Sequence, residues 1–261
     1  MTIHYRSICC LTLLIVTLVA QAHEFWIHPS AFVGQVGDKI GLELKVGQKF
    51  RGASLPYLPA DIDVFEIING DSVEVVKGLL GDSRPAAEFV LKPGLNQIIH
   101  LTMPSTIHFA DEDERWANYV QEDGLERQLN MYPNQSKDGP ISERYIRSVK
   151  SLVTTERVLD IQTRRLPFEF VMETPVPFRP GTHRLQLLEG EQPVERVFIK
   201  LFRYSDRAIS DSGYTDEKGM VELDFPSADR YLISGIIIRP DLDPQYDWIS
   251  FWSAMTLEVL D

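Results

Sequence analysis

The chain has 261 residues, with 26 Lys and Arg against 38 Asp and Glu, for a formal net charge of −12. That length leaves room for two domains, and the acidity makes nucleic acid and anionic membrane surfaces poor partners. Both cysteines, Cys9 and Cys10, fall in the first apolar run, so the rest of the chain has no thiol for a disulfide, a cysteine-built zinc site or a nucleophile.

Residues 1–22 read as an export signal: Arg6 in a short polar start, an apolar run from Ile8 to Ala20, and the small residues Ala20 and Ala22 in register for signal peptidase. The expected destination is the periplasm or another exported location, in soluble form. No second apolar run approaches the ~18 residues of a spanning helix. Cleavage after Ala22 makes His23 the new first residue. An amino-terminal histidine offers its amine and near ring nitrogen as a chelating pair for a cation such as copper or nickel, leaving one or two ligands to be found elsewhere.

From Glu24 to His28 the residues alternate as in a strand, with Phe25 and Ile27 on one side and Glu24, Trp26 and His28 on the other. Five extended residues span about 16 Å, so His23 and His28 are not expected to share one ion. Past the Gly37-Asp38 turn, Ile40, Leu42, Leu44 and Val46 alternate with polar positions. Residues 49–60, with Pro56 and Pro59, read as a loop. Asp61–Ile68 and Ser72–Lys77 flank Asn69-Gly70-Asp71 as a hairpin, and Ala87–Leu91 and Asn96–Met103 are expected to form another across Pro93-Gly94.

Between residues 110 and 164 the spacing turns helical. Asp111–Gln121 carries Trp116 and Val120 on one stripe, its acidic start suits the helix dipole, and Gly124 is a natural stop. Ile141–Val153, with Ile141, Tyr145, Val149 and Leu152 aligned, predicts a second helix whose solvated face is Arg144, Arg147 and Lys150. From Pro167 onward strands return: Phe168–Met172, Arg184–Leu188, Arg196–Arg203, Met220–Phe225, Arg230–Arg239 and Trp248–Val259. The fold expected is mostly β, with two antiparallel, immunoglobulin-like β-sandwiches over 23–109 and 165–261 joined by a helical segment over 110–164.

Five of the six histidines lie beyond the signal: His23, His28, His100, His108 and His183. His100 and His108 are the best candidates to complete a metal site with His23, being on or just after a strand able to pair beside the first one. His183 reads as a surface side chain. No Gly-x-Ser-x-Gly elbow, His-Glu-x-x-His helix or phosphate-cradling glycine loop is present, and no spacing singles out Glu24, Asp243 and Asp247 as acid and base. A non-enzymatic role is expected. A copper oxidase of the histidine-brace type is a lesser alternative that needs only His23 and one more histidine. Trp248, Phe251 and Trp252 read as core, or alternatively as a platform for a sugar or peptide.

Several segments together resemble a known family. They are Ala22-His23-Glu24-Phe25-Trp26-Ile27, Val46-Gly47-Gln48-Lys49-Phe50-Arg51-Gly52, Trp116-Ala117-Asn118-Tyr119-Val120 and Glu143-Arg144-Tyr145-Ile146-Arg147-Ser148-Val149-Lys150. Thr215-Asp216-Glu217-Lys218-Gly219 and Trp248-Ile249-Ser250-Phe251-Trp252 continue the pattern. The family is the exported bacterial domain of unknown function labelled nickel-uptake substrate-specific, related to the metal-capturing subunit of nickel and cobalt transporters. The resemblance implies tandem sandwiches, handling of nickel, cobalt or copper outside the inner membrane, a membrane transporter as a possible partner, and His23 as a ligand. Phe25 stands at mature position three, where the tightest amino-terminal copper and nickel chelates have histidine. The rival expectation is a cell-envelope binding module for a protein or glycan.

Overall fold

The computed structural model describes residues 24–111, 113–155, 166–173 and 178–261. The signal segment and His23 lie outside them. The first half supplies β1 (Glu24–Pro29), β2 (Lys39–Gln48), β3 (Arg51–Leu55), β4 (Ile62–Asn69), β5 (Ser72–Val75), β6 (Ala87–Val90), β7 (Leu95–Thr102) and β8 (Ser105–Phe109). Helices α1 (Glu114–Glu122) and α2 (Glu126–Leu129) precede β9 (Ile141–Thr154). The second half adds β10 (Phe168–Met172), β11 (Gly181–Glu189), β12 (Gln192–Pro193), β13 (Phe198–Arg203), β14 (Ile209–Tyr214), β15 (Met220–Phe225), β16 (Asp229–Pro240) and β17 (Trp248–Val259). The mostly-β architecture expected from the sequence is what the chain adopts.

A nine-stranded sheet runs through both halves in the order β14-β13-β16-β17-β9-β7-β4-β5, with β8 also on β9. Two smaller sheets cover it: β1-β2-β3 with β6 on β2, and β10-β11-β12 with β15 on β11. Residue parity assigns them to opposite faces, because neighbours along a strand point opposite ways. Leu232, Ala254, Phe202 and Val153 pack with the β1 sheet, whereas their neighbours Ile233, Met255, Leu201 and Leu152 pack with the β10 sheet. The helices sit on the β1 face, where Trp116, Tyr119, Leu125 and Leu129 meet Ile236, Ile238, Trp248 and Trp252.

The helix expected over Ile141–Val153 is instead the strand β9, antiparallel to β7 and parallel to β17. The spacing misled because β9 is covered on both faces, which removes the polar alternation that marks a half-exposed strand. Lys150, expected in solvent, is 1% exposed and pairs with buried Glu169 of β10. Its other neighbour in that supposed face, Arg147, points to the β1 side. Charged residues that are buried and paired mimic the polar face of a helix. The first helix is as expected: Asp113 is its N-cap and accepts from the Arg115 amide, while Gly124, in the left-handed region at φ 61°, follows its end.

The hairpin expected between Ala87–Leu91 and Asn96–Met103 is also corrected. β6 pairs with β2 and β7 pairs with β4 and β9, so the Pro93-Gly94 turn carries the chain from one sheet to another. The Asn96 carboxamide holds that turn by donating to the Lys92 and Gly94 carbonyls and accepting from the Lys92 amide.

Candidate functional site

β1 is an edge strand of its sheet, yet five of its six residues are buried. Its first residue, Glu24, enters an ionic cluster: the Lys200 ammonium lies 2.9 Å from Glu24 Oε1 and 2.5 Å from Asp123 Oδ1, with all three side chains at most 7% exposed. Asp123 is placed there by the C-terminus of α1 and Lys200 by β13. Burial pushes the Asp123 carboxyl up to about 6 even though Lys200 opposes the shift. Burial alone would lower Lys200, but Asp123 and Glu24 together hold it above the usual ammonium range.

Beside this cluster, Glu143 of β9 accepts from the Tyr119 hydroxyl at 3.2 Å and from the Ser250 hydroxyl. The Trp252 indole in turn donates to Ser250. Burial raises the Glu143 carboxyl to about 7, and its Oε2 has no partner. Arg147, four residues further along β9 on the same face, lies over the rings of Tyr145 at 4.7 Å and Phe25 at 5.7 Å. Burial lowers its guanidinium below the usual range, and its Nε is shut off from solvent without a partner.

Arg147 and Phe25 line a cavity of about 240 Å³ with His100, Tyr145, Thr102 and Asp61. The His100 ring lies 5.3 Å from Phe25 and 5.1 Å from Phe65, and both of its nitrogens are buried with no hydrogen-bond partner. Burial lowers its pKa to about 3, so the imidazole is neutral across the physiological range. A neutral imidazole is the form that binds metal.

Of the expected metal residues, His23 is outside the described residues, while His100 faces β1 across the sandwich. It does so by packing on Phe25; β1 pairs with β2 rather than with β7, so the expected side-by-side arrangement is not found. His108 is exposed on β8 and pairs with Ser142, while His100 pairs with Val149. Those partners are seven residues apart on β9 (149 − 142), about 23 Å at ~3.3 Å per residue. The structure therefore does not bring His100 and His108 together. Among the described residues, no group of three or more His, Cys, Asp or Glu has a geometry able to hold a metal ion.

His183, expected at the surface, is 9% exposed between Phe178 and Phe225, with Nε2 2.7 Å from the Arg179 carbonyl. Trp248, Phe251 and Trp252 are all buried, as the core reading of the terminal aromatics expects. Asp247 is spent on the Ser142 amide and hydroxyl. Sequence reasoning missed Arg147, Glu143 and Lys200 as members of the buried site. For Glu143 and Arg147 the available signal was the β-branched content of β9, with Ile141, Ile146, Val149 and Val153, which favours a strand.

A mostly-β protein with a buried, charged site at the start of its first strand is the class these features define. Within it, the chain belongs to the family described as Domain of unknown function (DUF4198), which matches residues 20–238. No curated protein is similar enough in sequence to match it. Among solved structures, the human OSCAR ligand-binding domain aligns with 90% of this chain and 98% of its own at 10% identity and a TM-score of 0.23, too remote a likeness to carry an argument. Among the described residues, no helix is long and apolar enough to cross a membrane.

Proposed function

We propose that the protein is an exported, non-enzymatic binding protein that captures or delivers a divalent transition metal, nickel, cobalt or copper, for an envelope transporter. In this reading the signal is cut after Ala22, and the amine and ring of His23 chelate the ion. The observation that carries it is His100: a buried, neutral imidazole with two unpartnered nitrogens, packed on Phe25, with only Glu24 between Phe25 and His23 in the chain. Leaving such donors unpartnered in a core costs about 1–3 kcal/mol, a cost that a ligand role accounts for.

Calorimetric titration of nickel, cobalt and copper into the processed protein tests the reading. His23→Ala, His100→Ala and a version with one extra leading residue should each lose at least tenfold in affinity, while His28→Ala and His108→Ala should bind as wild type. Affinity should fall as pH drops through about 6.5, because the ligating nitrogens must be unprotonated. Equal binding by all of these variants would overturn the reading.

A further inference from the structure

A second pocket lies on the other side of β1. β2 and β3 are joined by the two-residue loop Lys49-Phe50, between the paired residues Gln48 and Arg51. Both loop residues are left-handed, with φ 52° and 58°, a geometry that favours Asn-Gly. Phe50 is nonetheless buried at 1% exposure. Across from it, Arg207 is also left-handed at φ 60°, donates from Nη1 to the Phe50 carbonyl and lies 3.8 Å over the Tyr204 ring. Three of the four left-handed non-glycine residues among the described residues thus meet at one place; the fourth is Arg196. Backbone strain of this kind gathers at functional sites.

The pocket these elements enclose holds about 220 Å³ and is walled by flat rings: Trp26, His28, Phe50 and Tyr204. His28 stacks on Tyr204 at 5.5 Å, and Phe50 stands edge-on to both. Gly52 makes room, since a Cβ there would meet the Trp26 ring at 2.8 Å and the Val46 carbonyl at 2.3 Å. Two ring nitrogens, Trp26 Nε1 and His28 Nδ1, are buried with no partner. The cations Lys45, Arg51 and Arg207 line the pocket against the single carboxylate of Glu43. Three positive charges less one negative leaves +2, on a chain whose formal net charge is −12.

We propose that this pocket binds a small organic dicarboxylate, held by Lys45, Arg51, Arg207 and the Trp26 indole between the aromatic walls. The net charge matches a dianion, and at ~30 Å³ of liquid volume per water the space amounts to roughly seven waters. The Trp26 N–H would gain the partner it lacks. His28 is held neutral, near 4, first by burial and then by Lys45, Arg230 and Arg207, with Glu43 opposing them.

The test is calorimetric titration of succinate, glutarate and adipate into metal-free processed protein, with acetate and inorganic phosphate as controls; its outcome does not depend on the metal reading. At least one dicarboxylate should bind tenfold or more tightly than acetate or phosphate. Arg51→Gln, at an exposed position, and Trp26→Phe should each weaken that binding at least tenfold, with the melting temperature of Arg51→Gln unchanged. Absence of dicarboxylate binding, equal binding of phosphate, or binding that survives Arg51→Gln would overturn the proposal.

Discussion

Replacing Glu143 with Gln tests the electrostatics of the buried site. Glu143 is 1% exposed, and burial moves its carboxyl from an ordinary 4.5 to about 7. At ~1.36 kcal/mol per pH unit of displacement, this corresponds to about 3 kcal/mol between the two ends of the titration. A folded-state value above the unfolded one means that the fold binds the proton more tightly. The group's contribution is therefore fully present below about 4.5 and lost as pH rises through about 7. Gln keeps the shape and the oxygen that accepts from Tyr119 and Ser250, without the charge. Glu143→Gln should match wild type near pH 4 and exceed it by about 2–3 kcal/mol near pH 8, measured by urea denaturation at four pH values between. A difference that stays flat with pH, or grows toward acid, would refute the argument that desolvation controls this carboxyl.

Lys200→Met leaves Glu24 and Asp123 buried without their cation, and should cost about 3–5 kcal/mol. In a chain of this size that lowers the melting temperature by about 6–20 °C, readable by calorimetry. His100→Phe removes two unpartnered nitrogens from a site already walled by Phe25 and Phe65. It should stay within about 1 kcal/mol of wild type or exceed it in chemical denaturation, while losing any metal binding that depends on His100. Gly52→Ala drives a Cβ against the Val46 carbonyl and the Trp26 ring, and should cost about 1–3 kcal/mol by the same measurement.

Strands with one exposed face were legible in the sequence. β2 alternates between buried and partly exposed positions along Ile40, Leu42 and Leu44, and the Asn69-Gly70 turn sets the β4–β5 pairing. What defeated sequence reading was burial on both faces. β9 carries Glu143, Arg147 and Lys150, and each is balanced by groups from other parts of the chain: Tyr119 and Ser250 for Glu143, the Phe25 and Trp252 rings for Arg147, Glu169 for Lys150. Local periodicity cannot distinguish a charge compensated at long range from one in water. The site was half legible for the same reason. Its histidine candidate His100 stood out as a residue type, but the arginine and acids around it had the composition of surface.

Both pockets depend on one six-residue strand, and its parity explains how. Phe25 turns toward His100 and Arg147, while Glu24, Trp26 and His28 turn toward Lys200, Phe50 and Tyr204. An edge strand in water would show one of these sides to solvent. Here the nine-stranded sheet lies against β1, and the Thr256 hydroxyl, itself bonded to Ser151, donates to the Ile27 carbonyl at 2.8 Å. That bond fixes the strand near its middle, from a residue in the centre of the shared sheet. Side chains of opposite parity on a strand so held can serve different ligands without competing for space. A sequence in which nearly every residue of β1 must be buried leaves little room there for substitutions that answer to packing alone.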